Sequence, residues 1–252
     1  MTQAVQAKSS LTLASTFRDY FQVLRADTDL LREVVFRIRY QVYCAELGFE
    51  NPKEFPDRLE RDAFDPISEH CLLRHRLSGE FAGCVRLIRR DSERSEPALP
   101  LELHCGESLN QTLMRKLALD RTEYGEISRL AVPAQFRRRR GEAGDPIGKL
   151  SPPGSSTDNR HLPLIPLGLY LAATSAGLQA GLEGVFAMME PRLARHLRRF
   201  GFLFQQAGDV VDYRGERAAY YLSKQMLFEG LHPEIFGLLQ GIHRDLGGAE
   251  IN

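Results

Sequence analysis

Glu126-Ile127-Ser128-Arg129-Leu130-Ala131-Val132 reads as a β-strand that carries three polar side chains inside an otherwise apolar run. Buried strands exclude Glu and Arg, because an unpaired charge in a low-dielectric interior is costly. A strand that keeps both is either ion-paired structure or the floor of a functional site. Strict alternation puts Glu126, Ser128 and Leu130 on one face and Ile127, Arg129 and Ala131 on the other. Four arginines, Arg137 to Arg140, and then Gly141 follow a few residues later.

Working outward, His70 to Leu77 and Phe81 to Arg89 read as two strands joined at Ser78-Gly79-Glu80, a hairpin. Upstream, Leu30 to Leu47 has helical spacing, with Asp29 as a candidate cap and Gly48 as a stop. Residues 49–68 read as a loop, and Leu99 to Leu103 as a short extended piece. A helix is expected near Ser108 to Leu117. Downstream, the pattern predicts a helix from Ile165 to Ala180, a strand from Gly184 to Met189, and a helix from Pro191 to Phe200 with Gly201 at its C-cap. Strands follow over Phe202–Gln206, Val210–Tyr213 and Arg217–Leu222, then a last helix over about 233–246. A hairpin followed by helix-linked strands implies an α+β class with a mostly antiparallel sheet. Residues 1–16 read as a flexible end, 17–252 as one domain, and the Gly- and Pro-rich stretch of about 137–161 as a mobile loop.

The 252 residues include 33 Lys and Arg against 33 Asp and Glu, so the chain as a whole is no polyanion binder and nucleic acid is not an expected partner. Electrostatic function must be local. The four cysteines, Cys44, Cys71, Cys84 and Cys105, show no metal or redox spacing and suit a reduced cytoplasmic compartment. No metal ligand set is expected, and no apolar run reaches the roughly 20 residues that span a bilayer.

Other charges sit in apolar settings. Arg39 lies in the first helix and Arg86 in the second hairpin strand, while Glu60, Asp62 and Asp65 share the loop. Each has a bland reading as a structural ion pair and a sharper one as a substrate contact. Arg192, Arg195 and Arg199 align on one helix face, which suits an acidic partner or plain solvent.

Taken in order, Arg39-Tyr40-Gln41-Val42-Tyr43, Leu47-Gly48-Phe49-Glu50, Glu60-x-Asp62-x-x-Asp65, Gly83-Cys84-Val85-Arg86-Leu87 and Glu126-Ile127-Ser128-Arg129 resemble the acyl-homoserine-lactone synthases and long-chain N-acyl amino acid synthases. The run Val42 to Glu50 is similar to the acyltransferase subgroup associated with PEP-CTERM/exosortase systems. The resemblance covers residues 20–225. It implies a GNAT-like acyltransferase fold with a sheet splayed at its centre, and transfer of an acyl group from acyl carrier protein or coenzyme A to a small amine. It implies Glu126 as general base, with Arg39, Phe49, Asp62, Asp65, Arg86 and Arg129 at the substrate, and strand alternation adds Ser128 to the cleft of Glu126. The donor would lie along Leu130, Ala131, Val132, Arg138, Arg139, Arg140 and Gly141, with Arg192, Arg195 and Arg199 docking acyl carrier protein. Arg138 to Ala143 lacks the first glycine of a coenzyme A phosphate loop, which favours the carrier protein. No tightly bound cofactor is implied, and membrane contact would be peripheral, through a lipid product. S-adenosylmethionine as acceptor, or a non-catalytic acyl-binding or nucleic-acid-binding module, are the alternatives.

Overall fold

The computed structural model describes residues 12–89, 98–117, 120, 122–137 and 164–251. Its strands are β1 (Phe21–Arg25), β2 (Ser68–His75), β3 (Phe81–Ile88), β4 (Tyr124–Ala131), β5 (Gly184–Met189), β6 (Gln205–Gln206), β7 (Val211–Asp212) and β8 (Glu216–Ser223). They form an open sheet in the order β1-β2-β3-β4-β5-β8-β6, with β7 also paired to β8. All pairings are antiparallel except β4 with β5.

The helices are α1 (Leu13–Tyr20), α2 (Asp29–Arg39), α3 (Pro100–Cys105), α4 (Gln111–Leu117), α5 (Ala134–Arg137), α6 (Leu164–Gln179), α7 (Pro191–Leu197), α8 (Lys224–Gly230) and α9 (Pro233–Asp245). Helix α6 is apolar all round and buried over Leu164 to Gly177, because it lies between β2–β4 and α9. Gly83 permits that approach: a side chain there would meet the Leu169 methyl and the Ala131 carbonyl. Residues 13–16, placed in a flexible end by the sequence, belong to α1, whose Phe17 is buried against α6. Leu99 to Leu103 is not extended. Pro100 stands at the first helical position and the Glu102 carboxylate accepts from the Leu99 N–H at 2.7 Å, so α3 starts there.

The helix expected over Leu30 to Leu47 divides in two. Regular α2 ends at Arg39, and Tyr40–Glu46 continues as a π-helix in which the Leu47 N–H reaches the Val42 carbonyl at 3.1 Å. The wider turn buries three successive residues, Val42, Tyr43 and Cys44.

One face of the sheet has a continuous core, built from Val85, Leu87, Ile127, Leu130 and α6. The other face has two separate cores. Val35, Ile38, Val42, Leu72, Cys84 and Ala131 form one; Ile88, Leu101, Tyr124, Phe186 and Tyr221 form the other. Arg86, Glu126 and Ser128 belong to neither.

Candidate functional site

Two irregularities of β4 make the gap between those cores. Cys84 pairs with Ala131 and Arg86 with Ser128, so Arg129 and Leu130 together oppose Val85 in a β-bulge. Arg129 takes φ +49°, a left-handed backbone that costs a non-glycine residue about 1–2 kcal/mol. The bulge corrects the alternation read from the sequence. Leu130 joins Ile127 in the continuous core, and Arg129 turns onto the face of Glu126 and Ser128. Second, β4 and β5 pair only from Tyr124/Gly184 to Ile127/Ala187. Beyond that point the parallel strands part, and the sheet is splayed there.

A cavity of about 110 Å³ opens at this place. Glu126, Ser128 and Arg129 of β4, Arg86 of β3 and Met188 of β5 form its floor, and Asp62, Phe64, Tyr43 and Phe49 form one wall. Pro100 and His104 of α3 and Tyr213, Arg214 and Arg217 of the β7–β8 hairpin form the other.

The first wall is a charge lattice. Arg39, fully buried, donates through Nε to Glu60 and through Nη1 to Asp65 at 2.6 Å. Arg86 Nη1 bonds Asp62 at 2.6 Å and Asp65 at 2.9 Å, and its Nε donates to the Ser128 hydroxyl at 3.0 Å. Arg129 reaches Glu60 and Asp62 at 3.2 Å and Glu50 at 3.3 Å. Arg214 closes the series on Glu50 at 2.5 Å. Burial pushes the Asp62 carboxyl up, but Arg86, Arg129 and Arg39 outweigh it and hold the group down at about 2. Glu60 and Asp65 are lowered in the same way against their burial. His70, packed edge-on against Phe36 beneath this lattice, is pushed down to about 4 by burial and is neutral. The loop carboxylates are thus spent on arginines.

Glu126 is different. It is 2% exposed and has no salt-bridge partner among the described residues. Its carboxylate accepts the Leu101 N–H from the first turn of α3 at 2.9 Å. Burial dominates: it raises the carboxyl to about 7, against the opposing pull of that N–H, Arg86 and Arg129. A buried carboxyl poised near neutrality on a cavity floor is suited to accept and return a proton.

The structure brings Glu126, Phe49, Asp62, Arg86, Ser128 and Arg129 to one cavity. It leaves Arg39 and Asp65 behind the wall, where they hold the others. Leu130, Ala131 and Val132 point into the cores, and Tyr43 Oη donates to the Leu130 carbonyl at 2.8 Å. Their side chains therefore offer nothing to a donor, although among the described residues β4 beyond Ile127 has no strand partner on its β5 side. Arg138, Arg139, Arg140 and Gly141, with most of the 137–161 loop, lie outside the described residues. Arg192 and Arg195 are exposed on α7, and Arg199 is exposed on the 3₁₀ turn that continues it; this segment begins directly after β5. Cys71 and Cys84 are buried thiols pushed up to about 12, chiefly by that burial, and take no part in the cavity. His104, Tyr213, Arg214 and Arg217 were not singled out from the sequence as a site. His104 stacks on Tyr213 with ring centroids 4.4 Å apart, across two elements distant in the chain.

The splayed mixed sheet and its cavity define a GNAT-like fold, and residues 38–144 match the family model described as Acetyltransferase (GNAT) domain. Three solved structures illustrate the similarity. TofI, in a ternary complex with an inhibitor and MTA, is 19% identical with a TM-score of 0.56, over 85% of this chain and 99% of that one. FeeM, an N-acyl amino acid synthase from uncultured soil microbes, is 14% identical with a TM-score of 0.55, over 86% and 97%. BjaI, a CoA-dependent acyl-homoserine lactone synthase with SAM and isopentyl-CoA, is 18% identical with a TM-score of 0.52, over 92% and 91%. At these identities the likeness is one of fold. No curated protein matches the chain. Among the described residues, no helix is long and apolar enough to cross a membrane.

Proposed function

We propose that this chain is an N-acyltransferase that moves a long-chain acyl group from an acyl thioester, carried by acyl carrier protein, to the amine of an amino acid or similar small molecule. The observation that carries the reading is Glu126, a buried carboxylate with no salt-bridge partner among the described residues, beside the point where β4 and β5 part. A thioester arm laid in that opening meets unpaired β4 backbone, which can orient its carbonyl. The amine nitrogen attacks the carbonyl carbon and gives its proton to Glu126. The tetrahedral intermediate then collapses with loss of the thiolate, and Glu126 returns the proton to sulfur. The exposed arginines of α7 and its 3₁₀ extension, Arg192, Arg195 and Arg199, offer an acidic carrier protein a docking face beside the opening. In this reading the enzyme belongs with the PEP-CTERM/exosortase-associated subgroup, which its Val42 to Glu50 run resembles.

The second reading is a signal synthase with S-adenosylmethionine as acceptor, favoured by the likeness to TofI and BjaI. The cavity weighs against it. A sulfonium is held by aromatic faces, and here those faces are taken. Arg129 lies over Tyr43 at 5.6 Å, Arg86 over Phe64 at 5.9 Å, Arg214 over Tyr213 at 5.2 Å and Arg217 over Phe49 at 6.0 Å. The test is to incubate the protein with palmitoyl carrier protein, palmitoyl-coenzyme A, an amino-acid mixture and S-adenosylmethionine, and to read the products by mass spectrometry. N-acyl amino acids are expected, from the carrier thioester in preference. A lactone product supports the second reading, and no acylated amine at all overturns both.

A further inference from the structure

Four of the five arginines in and behind the cavity wall are already neutralised. Arg39 faces Glu60 and Asp65, Arg86 faces Asp62 and Asp65, Arg129 faces Glu50, Glu60 and Asp62, and Arg214 faces Glu50. An incoming carboxylate gains little from these groups, since it must compete with carboxylates already seated at hydrogen-bond distance. The fifth is Arg217. It lies on β8 opposite Val211, lines the cavity, and has no carboxylate within salt-bridge distance among the described residues. Its Nε is buried without a hydrogen-bond partner. Its guanidinium rests against Phe49, which itself stacks on Tyr43, so the head is held in place by rings and not by an ion pair. A buried guanidinium N–H left unpaired costs stability, and a ligand oxygen would relieve that cost.

We infer that Arg217 is the residue that receives the acceptor's carboxylate, and so selects an amine that carries an anionic group over one that does not. The assignment rests on the acyl-transfer reading above. It differs from the expectation that Arg86 or Arg129 holds the substrate carboxylate, because Arg86 already faces two carboxylates and Arg129 three, although Arg86 Nη2, like Arg217 Nε, lacks a hydrogen-bond partner. The carboxylate would seat on the β8 wall, with the amine directed across the cavity toward Glu126.

The test is a competition in one reaction mixture, with palmitoyl carrier protein as donor and equal amounts of L-leucine and its decarboxylated counterpart, isopentylamine. Mass spectrometry reads the ratio of the two amides for wild type, R217Q and R217K. Wild type is expected to favour leucine. R217Q should lower that ratio roughly 10- to 100-fold, the worth of a charge-assisted hydrogen bond, while still acylating isopentylamine, and R217K should restore part of the preference. A damaged fold would depress both amides together and leave the ratio unchanged. An unchanged ratio in R217Q, with both amides still made, overturns the assignment and leaves the acyl-transfer reading standing. If wild type makes neither amide, the acyl-transfer reading falls and the assignment falls with it. Calorimetry supplies a readout without turnover: N-dodecanoyl-leucine should bind wild type more tightly than R217Q, and its methyl ester should bind the two alike. Equal loss for acid and ester would also overturn the assignment.

Discussion

The two sides of the cavity treat charge in opposite ways. On the β3 side, Arg39, Arg86 and Arg129 share Glu60, Asp62 and Asp65 so closely that each group satisfies at least two others. On the floor Glu126 and on the far wall Arg217 stand without ionic partners among the described residues, beside Arg214, which is paired to Glu50. The paired side costs desolvation energy that its ion pairs largely return, and it fixes the shape of the loop that bears Asp62 and Phe64. The unpaired groups carry a desolvation cost that no partner returns. Groups that stay unpaired in a buried site are the ones available to a substrate, so the chemistry belongs to Glu126 and the anchoring to Arg217. The lattice is scaffolding.

That contrast breaks most visibly at Glu126. E126Q keeps the shape and removes the proton acceptor, and kcat should fall roughly 10²- to 10⁴-fold, measured as amide formed per enzyme. Full activity would return Glu126 to the scaffold. Next comes Arg39, whose removal should act on stability. R39M leaves Glu60 and Asp65 buried against a neutral side chain, and denaturant unfolding should show a loss of about 3–5 kcal/mol. A loss below 1 kcal/mol would mean that the lattice is not what holds the loop.

Acidity separates the two sides a third way. The Glu126 carboxyl is raised above its unfolded value, so its stabilising contribution is present at pH 4 and is lost as pH climbs through about 7. E126Q should therefore melt above wild type at pH 8 and level with it at pH 4. Asp62 runs the other way: its contribution holds above pH 4 and is lost as pH falls toward about 2. Equal melting differences at both ends would refute the Glu126 assignment. The smallest effect is expected at α7. R195E should weaken use of the carrier thioester only several-fold, and the loss should shrink with added salt while free palmitoyl-coenzyme A is unaffected.

Much of this was legible in the sequence, for identifiable reasons. Strands β3, β4 and β5 and helix α6 declare themselves by apolar pattern. Charges on apolar strands, Arg86 and Glu126, pointed to the site because burial of charge is rare. The bulge was not legible. The left-handed backbone of Arg129 goes with the register shift against β3 and with its three carboxylate partners, and no local signal at that residue encodes it. The far wall was missed for a similar reason. His104 and Tyr213 meet only because α3 and the β7–β8 hairpin converge, and Arg217 looks like any strand-edge cation until its lack of a partner is seen. The α3 start was misread as extended, although Pro100 at the first helical position and the Glu102 carboxylate two residues on carry its signal. The division of α2 from its π-helical continuation was not, since Leu30 to Leu47 has apolar spacing compatible with one helix.

The decisive measurement is the pH dependence of kcat/KM for the acyl thioester in amide formation, with the unprotonated amine acceptor held saturating at every pH, for wild type and E126Q between pH 5.5 and 9. Because only the carboxylate form of Glu126 can take the amine proton, wild-type kcat/KM should rise with pH and level off above a midpoint near 7. E126Q should be slow throughout and should lack that limb. The same rising limb in E126Q, at comparable rate, would contradict the assignment of Glu126 as the base.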